Sequence, residues 1–479
     1  MDKVSGLFFI KTLFVLLLLN VSCLFSQENT WQKNYNGPLH YFDGGKDICL
    51  ADSNNIYIIG YTSVSTPFRK IWILKINNLG DTIWTRIIGH QLASTGYACT
   101  STSDGGCVIT GNVLPGYGSC IKLNSSGFID WEKNYGEKGT YLYDIIRTSD
   151  AGFICCGKIN FKDGFILKLD STGNFQWQKI YSINGTKVFY KINYGINGGY
   201  VITGFDNQDS VNFYSTITKV NDSGIVIWSK KNKSGGGNIF SINNGYIVGG
   251  SIYEKNTFHG YGFINVDTSG NIRTKKIIDS INYYGDITLI NPRKYVMVMG
   301  TEFNMSLLGV VLLCDSSGLL IKRKILPPTP VPDYLELYSV LSGNNGNIYT
   351  VGVSDFNNDN FEDVYVANLD SMLNVSQLTQ IKENENLSHK NFQILSNYPN
   401  PFNNSTIIIY ELKYNSFIKL DLFDLSGKLI KILDQDYKEF GSHRYTLNDV
   451  SLSLASGVYF IRLSDRSNNS ISKKIMFIK

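Results

Sequence analysis

Histidine is scarce in this chain, and no motif that would use it appears. The five histidines, His40, His90, His259, His389 and His443, form no H-E-x-x-H or other metal-binding pair. G-x-S-x-G, a Walker loop and a dinucleotide fingerprint are also missing, which removes the enzyme centres that can be read as local motifs. Charged residues make up only 18% of the chain, the net charge is +4, and no basic stripe runs along the sequence. A nucleic-acid partner is therefore not expected. Cysteine is present without pattern: the eight residues show no C-x-x-C or Cys/His spacing. Most lie in apolar strand patterns and read as small buried hydrophobes, with Cys99 and Cys107 as one pair placed for a cross-strand bridge. No convincing 3.6-residue apolar period occurs in the body of the chain.

What is abundant points to strands and tight turns: 43% hydrophobic residues, 45 Gly, 30 Tyr and 27 Phe. At the N-terminus, Lys3 and Lys11 precede TLFVLLLL at 12–19. That run is too short for a mature membrane span and reads as a cleaved export signal over residues 1–26, cut after Ser26. Cys23 as a lipid-modified first residue is the alternative, although Asn20 stands where such sites carry Leu. No other segment has transmembrane length.

Three signals then recur in fixed order, the first two in all seven copies and the third in four, with Thr274 and Lys322 at its position in copies five and six. The first is a turn followed by an apolar strand that ends at Gly60, Gly111, Gly157, Gly204, Gly250, Gly300 and Gly352, 46 to 52 residues apart. The second is an apolar strand running into Asx-x-x-Gly, as in LKLDSTG from Asp170 to Gly173; the seventh copy has Leu373 in place of Gly. The third is Trp four residues after that Gly, at Trp84, Trp131, Trp177 and Trp228. Asn or Asp caps a type I turn and Gly accepts positive φ, so Asx-x-x-Gly closes a hairpin with a one-residue bulge. Four strands per unit, seven times, predict an all-β fold: a seven-bladed β-propeller of four-stranded antiparallel blades. The strand-ending Gly is expected to allow close backbone approach or a bulge. The Trp is expected between blades, with its N–H partnered. Trp31 opens WQKNYNG, a fourth-strand copy with no first three strands, so it is expected to complete the last blade. An open, stacked solenoid is the alternative.

The units turn-DGG-apolar-G, LKLDxxG and W-x-K-x-Y-G resemble the repeat of secreted Bacteroidetes β-propeller proteins over about residues 31–381. That resemblance implies the architecture and no single activity. The propeller is placed at 27–381 and a polar linker at 382–394. In the tail, 395–479, alternating runs such as IKLDLFDL and VYFIRL predict a small Ig-like β-sandwich. Asn397-Tyr398-Pro399-Asn400-Pro401-Phe402, then Asp424, Gly427 and Lys428 in FDLSGK, Ser456-Gly457-Val458-Tyr459-Phe460 and the basic end (Lys473, Lys474, Lys479) resemble the type A C-terminal sorting domain of type IX secretion substrates. This implies export, the type IX secretion machinery as partner, and a secreted or cell-surface location on the outer membrane exterior.

Two groups of residues are candidate sites. Asp355, Asn357, Asp359, the Phe361 carbonyl and Asp363 have the spacing of an oxygen loop for calcium, with Asn360 where such loops carry Gly. Asp47, Asp144 and Asp286 recur on first strands and read either as an acidic rim for a cation or sugar, or as loop caps. No catalytic or cofactor-binding residue is identified. The expected function is a non-enzymatic binding or adhesion module with a glycan or protein ligand; the alternative is a secreted hydrolase or lyase acting on polysaccharide or peptide at the propeller's central face.

Overall fold

A computed structural model describes residues 30–376 and 392–477, apart from short internal segments. The export signal, and residues 382–391 of the linker, lie outside the described residues. The chain divides into two compact units, Met1–Gln380 and Ile381–Lys479. Neither contains a helix among the described residues.

The first unit is seven four-stranded antiparallel sheets. Strand β1 (Trp31–Tyr35) stands apart in sequence. Blades 1 to 6 follow as β2–β5 (43–88), β6–β9 (94–135), β10–β13 (141–181), β14–β17 (186–232), β18–β21 (235–279) and β22–β25 (283–326). Blade 7 supplies three strands, β26–β28 (334–369), and β1 pairs with β28 as its fourth, Trp31 opposite Asn368 and Tyr35 opposite Val364. The first strand of blade 1 packs in turn on blade 7. The ring is therefore closed, not an open solenoid. Seven apolar clusters line it, one for each pair of adjacent blades, and the cluster of Trp31, Ile58, Leu74, Val351 and Val366 fills the seam between blades 7 and 1.

The repeat signals have a shared mechanical role. In each Asx-x-x-Gly turn the Asx side chain accepts two backbone N–H groups. Asn77 Oδ1, for example, takes Leu79 N at 2.9 Å and Asp81 N at 2.8 Å, with Gly80 at φ 76°. The outer strand of one blade then clamps the turn of the next. Trp31 lies on Gly80, donates Nε1 to Asn78 O at 2.8 Å, and is followed by Lys33 on Leu79 O and Tyr35 on Gly80 O. Trp84 and Trp228 repeat the indole bond on Ser125 O and Thr268 O, whereas Trp131 lies on Gly173 with its buried N–H unpartnered among the described residues, against the expectation for this position. W-x-K-x-Y is thus one grip from blade to blade, and Trp31 makes it across the ring's junction. In copy seven Leu373 holds the left-handed turn at φ 58° while fully buried. Burial of its side chain, worth about 2 kcal/mol, offsets a left-handed cost of about 1–2 kcal/mol.

The seven cysteines of the described region are free. Cys99 and Cys107 are not bridged, because the register sets Cys99 opposite Ile109 and Cys107 opposite Ser101.

The second unit is a two-sheet sandwich. β29 (Phe392–Tyr398), β30 (Ser405–Leu412) and β33 (Gly441–Asn448) face β32 (Leu429–Lys438), β31 (Ser416–Asp424), β34 (Gly457–Asp465) and β35 (Ser470–Phe477). Alternate residues of both sheets, among them Ile408, Tyr410, Leu420, Leu422, Ile461 and Phe477, form one core.

Candidate functional site: the inner wall of the ring

Each blade's first strand carries an extra, unpaired residue beside the strand-ending glycine, one pair further from it in blade 6. The register skips at Lys46, Tyr97, Tyr143, Tyr190, Gly285 and Tyr338, and over Gly237–Asn238 in blade 5. These bulges explain the glycines. A β-carbon on Gly157 would sit 1.8 Å from Tyr141 O, and one on Gly60 1.7 Å from Gly44 O. The bulges also re-aim side chains, as is usual for this device.

Two tiers result on the inner strands. The upper tier is asymmetric. Tyr97, Tyr143 and Tyr190, from blades 2, 3 and 4, form a ladder with ring centroids 5.2 and 5.4 Å apart. Lys46 lies over the Tyr338 ring at 3.4 Å. Blades 5 and 6 carry glycine at that position, Gly237 and Gly285. Around Lys46, Glu336 accepts the Tyr334 and Tyr338 hydroxyls at 2.5 and 2.6 Å, and Glu362 accepts that of Tyr61 at 2.9 Å. Burial pushes the Lys46 ammonium down to about 8, against the pull of Glu336 and Glu362. Burial pushes Tyr97 up to about 12, and Tyr143 and Tyr338 up further, so the phenols stay neutral at physiological pH.

The lower tier runs Asp47, Ala98, Asp144, Lys191, Asn238, Asp286 and Ser339. Its three carboxylates stitch blades together: Asp47 accepts Cys99 N at 2.8 Å, Asp144 accepts Ile192 N at 2.8 Å, and Asp286 accepts Val340 N at 3.2 Å. Ser339 Oγ lies 2.9 Å from Asp47 and 3.2 Å from Asp286, and its single proton serves one of the two. Of the two sequence readings of these acids, capping is the geometry found, although they cap the next blade's bulge. Burial raises Asp144 to about 6, although Lys191 at 3.9 Å pulls the other way.

Elsewhere, burial raises fully buried Asp43 to about 6, against the hydrogen bond its Oδ2 accepts from Gly37 N. A carboxyl raised in the fold stabilises it below the ordinary value near 4, and that contribution is lost as pH rises through about 6. The melting temperature should therefore fall between pH 4.5 and pH 7 on this account. Asp43→Asn should reduce that fall by the equivalent of about 2 kcal/mol. A variant with the wild-type pH profile would contradict the assignment.

The calcium loop is only partly described: Asn357, Asp359 and Phe361 lie outside the described residues. Asp355 ends its strand with Oδ1 buried and unpartnered, as a cation ligand would be. Asp363 is buried, and both its oxygens accept the Asn36 amide at 2.8 and 3.0 Å once that amide is oriented to donate. One end of the loop thus suits a cation and the other is already engaged. Among the described residues no three His, Cys, Asp or Glu side chains converge as a metal site.

In the second unit the sequence motifs become latches. Asn400 Oδ1 accepts Met476 N at 2.7 Å and the Phe402 ring packs on Phe477 at 5.1 Å, tying the start of the domain to its last strand. Asp424 and Gly427 form another capped turn, with Gly427 at φ 81°. Tyr459 donates to Ala455 O at 2.7 Å. Pro399, Pro401 and Lys479 lie outside the described residues.

Among solved structures, the chain is similar to the Neurospora crassa Pan2 WD40 domain, with 10% identity over 73% of this chain and 96% of that one at a TM-score of 0.47. It is also similar to polysaccharide lyase Uly1, with 11% identity over 72% and 93% at 0.44. A third is Sqt1 from Chaetomium thermophilum, with 12% identity over 79% and 97% at 0.43. No curated protein matches the chain. Residues 396–479, within the second unit, match the model of the secretion system C-terminal sorting domain, the sorting tail of type IX secretion.

Proposed function

We propose that the exported propeller is a non-enzymatic binding or adhesion module of the cell surface or exterior, and that its ligand seat is the tyrosine-lined inner wall. The observation that carries this reading is the Tyr97–Tyr143–Tyr190 ladder beside the glycine-walled side of blades 5 and 6. Neutral phenols offer flat faces for stacking and hydroxyls for hydrogen bonds, which suits a glycan or a protein loop. The sorting tail supports delivery outside the cell. Saturable binding on a glycan array is expected for the intact chain, with no turnover in a broad hydrolase and lyase screen. Tyr97→Ala with Tyr190→Ala should weaken it at least about tenfold, the equivalent of about 0.7 kcal/mol per ring. Binding unchanged in that double variant would remove the seat.

The second reading, a secreted hydrolase or lyase, draws on Lys46. An amine lowered to about 8 beside Tyr338 and Glu336 resembles a proton-transfer group. Turnover abolished by Lys46→Met would establish it over the first. Calcium at the Asp355–Asp363 loop belongs to the proposal as well: added calcium should raise the melting temperature of the intact chain and leave an Asp355→Asn variant unmoved. A wild-type chain indifferent to calcium and chelator would remove the metal.

A further inference from the structure

The outermost strands of blades 1 to 6 each present one unpaired edge, and they are not alike. β5 (Thr82–Ile88), β9 (Ile129–Tyr135) and β13 (Phe175–Tyr181), TIWTRII, IDWEKNY and FQWQKIY, together carry three cations and two acids. β17 (Val226–Asn232), β21 (Ile272–Asp279) and β25 (Leu320–Leu326), VIWSKKN, IRTKKIID and LIKRKIL, carry eight lysines and arginines and a single acid, Asp279. The ring sets these three strands side by side, because they belong to consecutive blades. In sequence the cations fall into separate short groups, so no stripe is visible there.

Lysines on an edge strand guard against edge-to-edge pairing. That need is the same on all six outer strands, and it does not account for eight cations on one half and three on the other. Large apolar side chains are exposed on all six outer strands, as Ile83, Ile129 and Phe175 are on blades 1 to 3, but only here do they lie among clustered cations: Ile227 is 59% exposed, Ile277 44%, Leu320 40% and Ile325 42%. Arg273, Lys275 and Arg323 are exposed among them; Lys275 also donates to Tyr253 O at 2.9 Å, and Lys231 is paired with buried Asp206 at 2.9 Å.

We infer that this flank of blades 4 to 6 is a docking surface for an anionic lipid surface. Cations meet the headgroups and the interleaved isoleucines and leucines enter the boundary beneath them. It is the combination of cations and apolar side chains on one flank that suits a lipid surface; a soluble polyanion would engage the cations alone. The inference is independent of the tyrosine wall, which lies on the inner strands.

The test is co-sedimentation of the full chain with vesicles of phosphatidylcholine, alone or with phosphatidylglycerol added. Binding is expected only with phosphatidylglycerol, and is expected to weaken with salt. Arg273→Glu, Lys275→Glu and Arg323→Glu together should lower partitioning by more than about tenfold at an unchanged melting temperature. Ile277→Ser with Leu320→Ser should lower it while the salt dependence persists. Lys133→Glu, on the outer strand of blade 2 across the ring, should leave vesicle binding unchanged. Equal binding to both vesicles overturns the proposal. So does binding that dextran sulfate replaces fully and the serine variants leave intact, which would mark a polyanion site. Salt titration of the unsubstituted chain reads the cationic part if a variant fails to fold.

Discussion

Trp31→Ala should destabilise the propeller by about 4 kcal/mol, the upper range for truncating a buried aromatic. The side chain is 6% exposed, fills the seam between blades 7 and 1, stacks on Gly80 and donates to Asn78 O. Trp228→Ala removes the same grip between blades 4 and 5. Trp228 is only partly buried, and its loss should cost about half as much. The comparison is internal: same residue, same partner type, different place in the ring. Deleting residues 27–36 should do more, because it strips the fourth strand from blade 7, opens an unpaired edge on β28 (Asp363–Leu369), and removes the Gln32 partner of the Tyr365 hydroxyl. Urea unfolding of the three variants beside the intact chain measures the order. Equal losses for Trp31→Ala and Trp228→Ala would show that the junction is no different from any other seam.

The second large effect is expected at a glycine. Gly157→Ala adds a single carbon, 1.8 Å from the Tyr141 carbonyl and 3.1 Å from Leu142 Cα. Both contacts are backbone, so no side chain can turn aside. The blade must part at its bulge, at a cost of about 3 kcal/mol or more, the severe end of overpacking. The displacement reaches Tyr143, the extra residue of that bulge, and with it the middle rung of the ladder. Gly157→Ala should therefore lose stability and ligand together. Gly346, at φ 82° with open space around it, makes the useful contrast. Gly346→Ala should cost only about 1 kcal/mol, from its left-handed backbone alone. A Gly157→Ala chain as stable as Gly346→Ala would sink the account of why seven strands end in glycine.

Much of the architecture was legible because the repeat writes the same capped turn seven times. Asn77, Asp170 and Asp315 announce the same turn, and WQKNY at Trp31 announces a strand in search of a blade. The inner wall was harder to read. Its tyrosines at 97, 143, 190 and 338 each precede the lower-tier residue by one position, a phase visible in KD, YA, YD, YK, GD and YS once the bulge is known. Period-two reasoning hides it, because a bulge inserts one residue and shifts every following side chain to the other face. Asp47, Asp144 and Asp286 were seen as acids, but a sequence cannot show that their oxygens face the N–H groups of Cys99, Ile192 and Val340 in the next blade. The basic flank was missed for the opposite reason. Its cations are local in space and dispersed in sequence, and only ring closure gathers them.

Hydrogen exchange resolved to residues 31–35 and 364–368 of the intact chain is the most direct probe of the closed ring. Paired strands in the described register should exchange together, at the slow rate of the blade they share. Amides of 31–35 that exchange like a loose terminus, while 364–368 stay protected, would leave blade 7 with three strands and the ring unlatched.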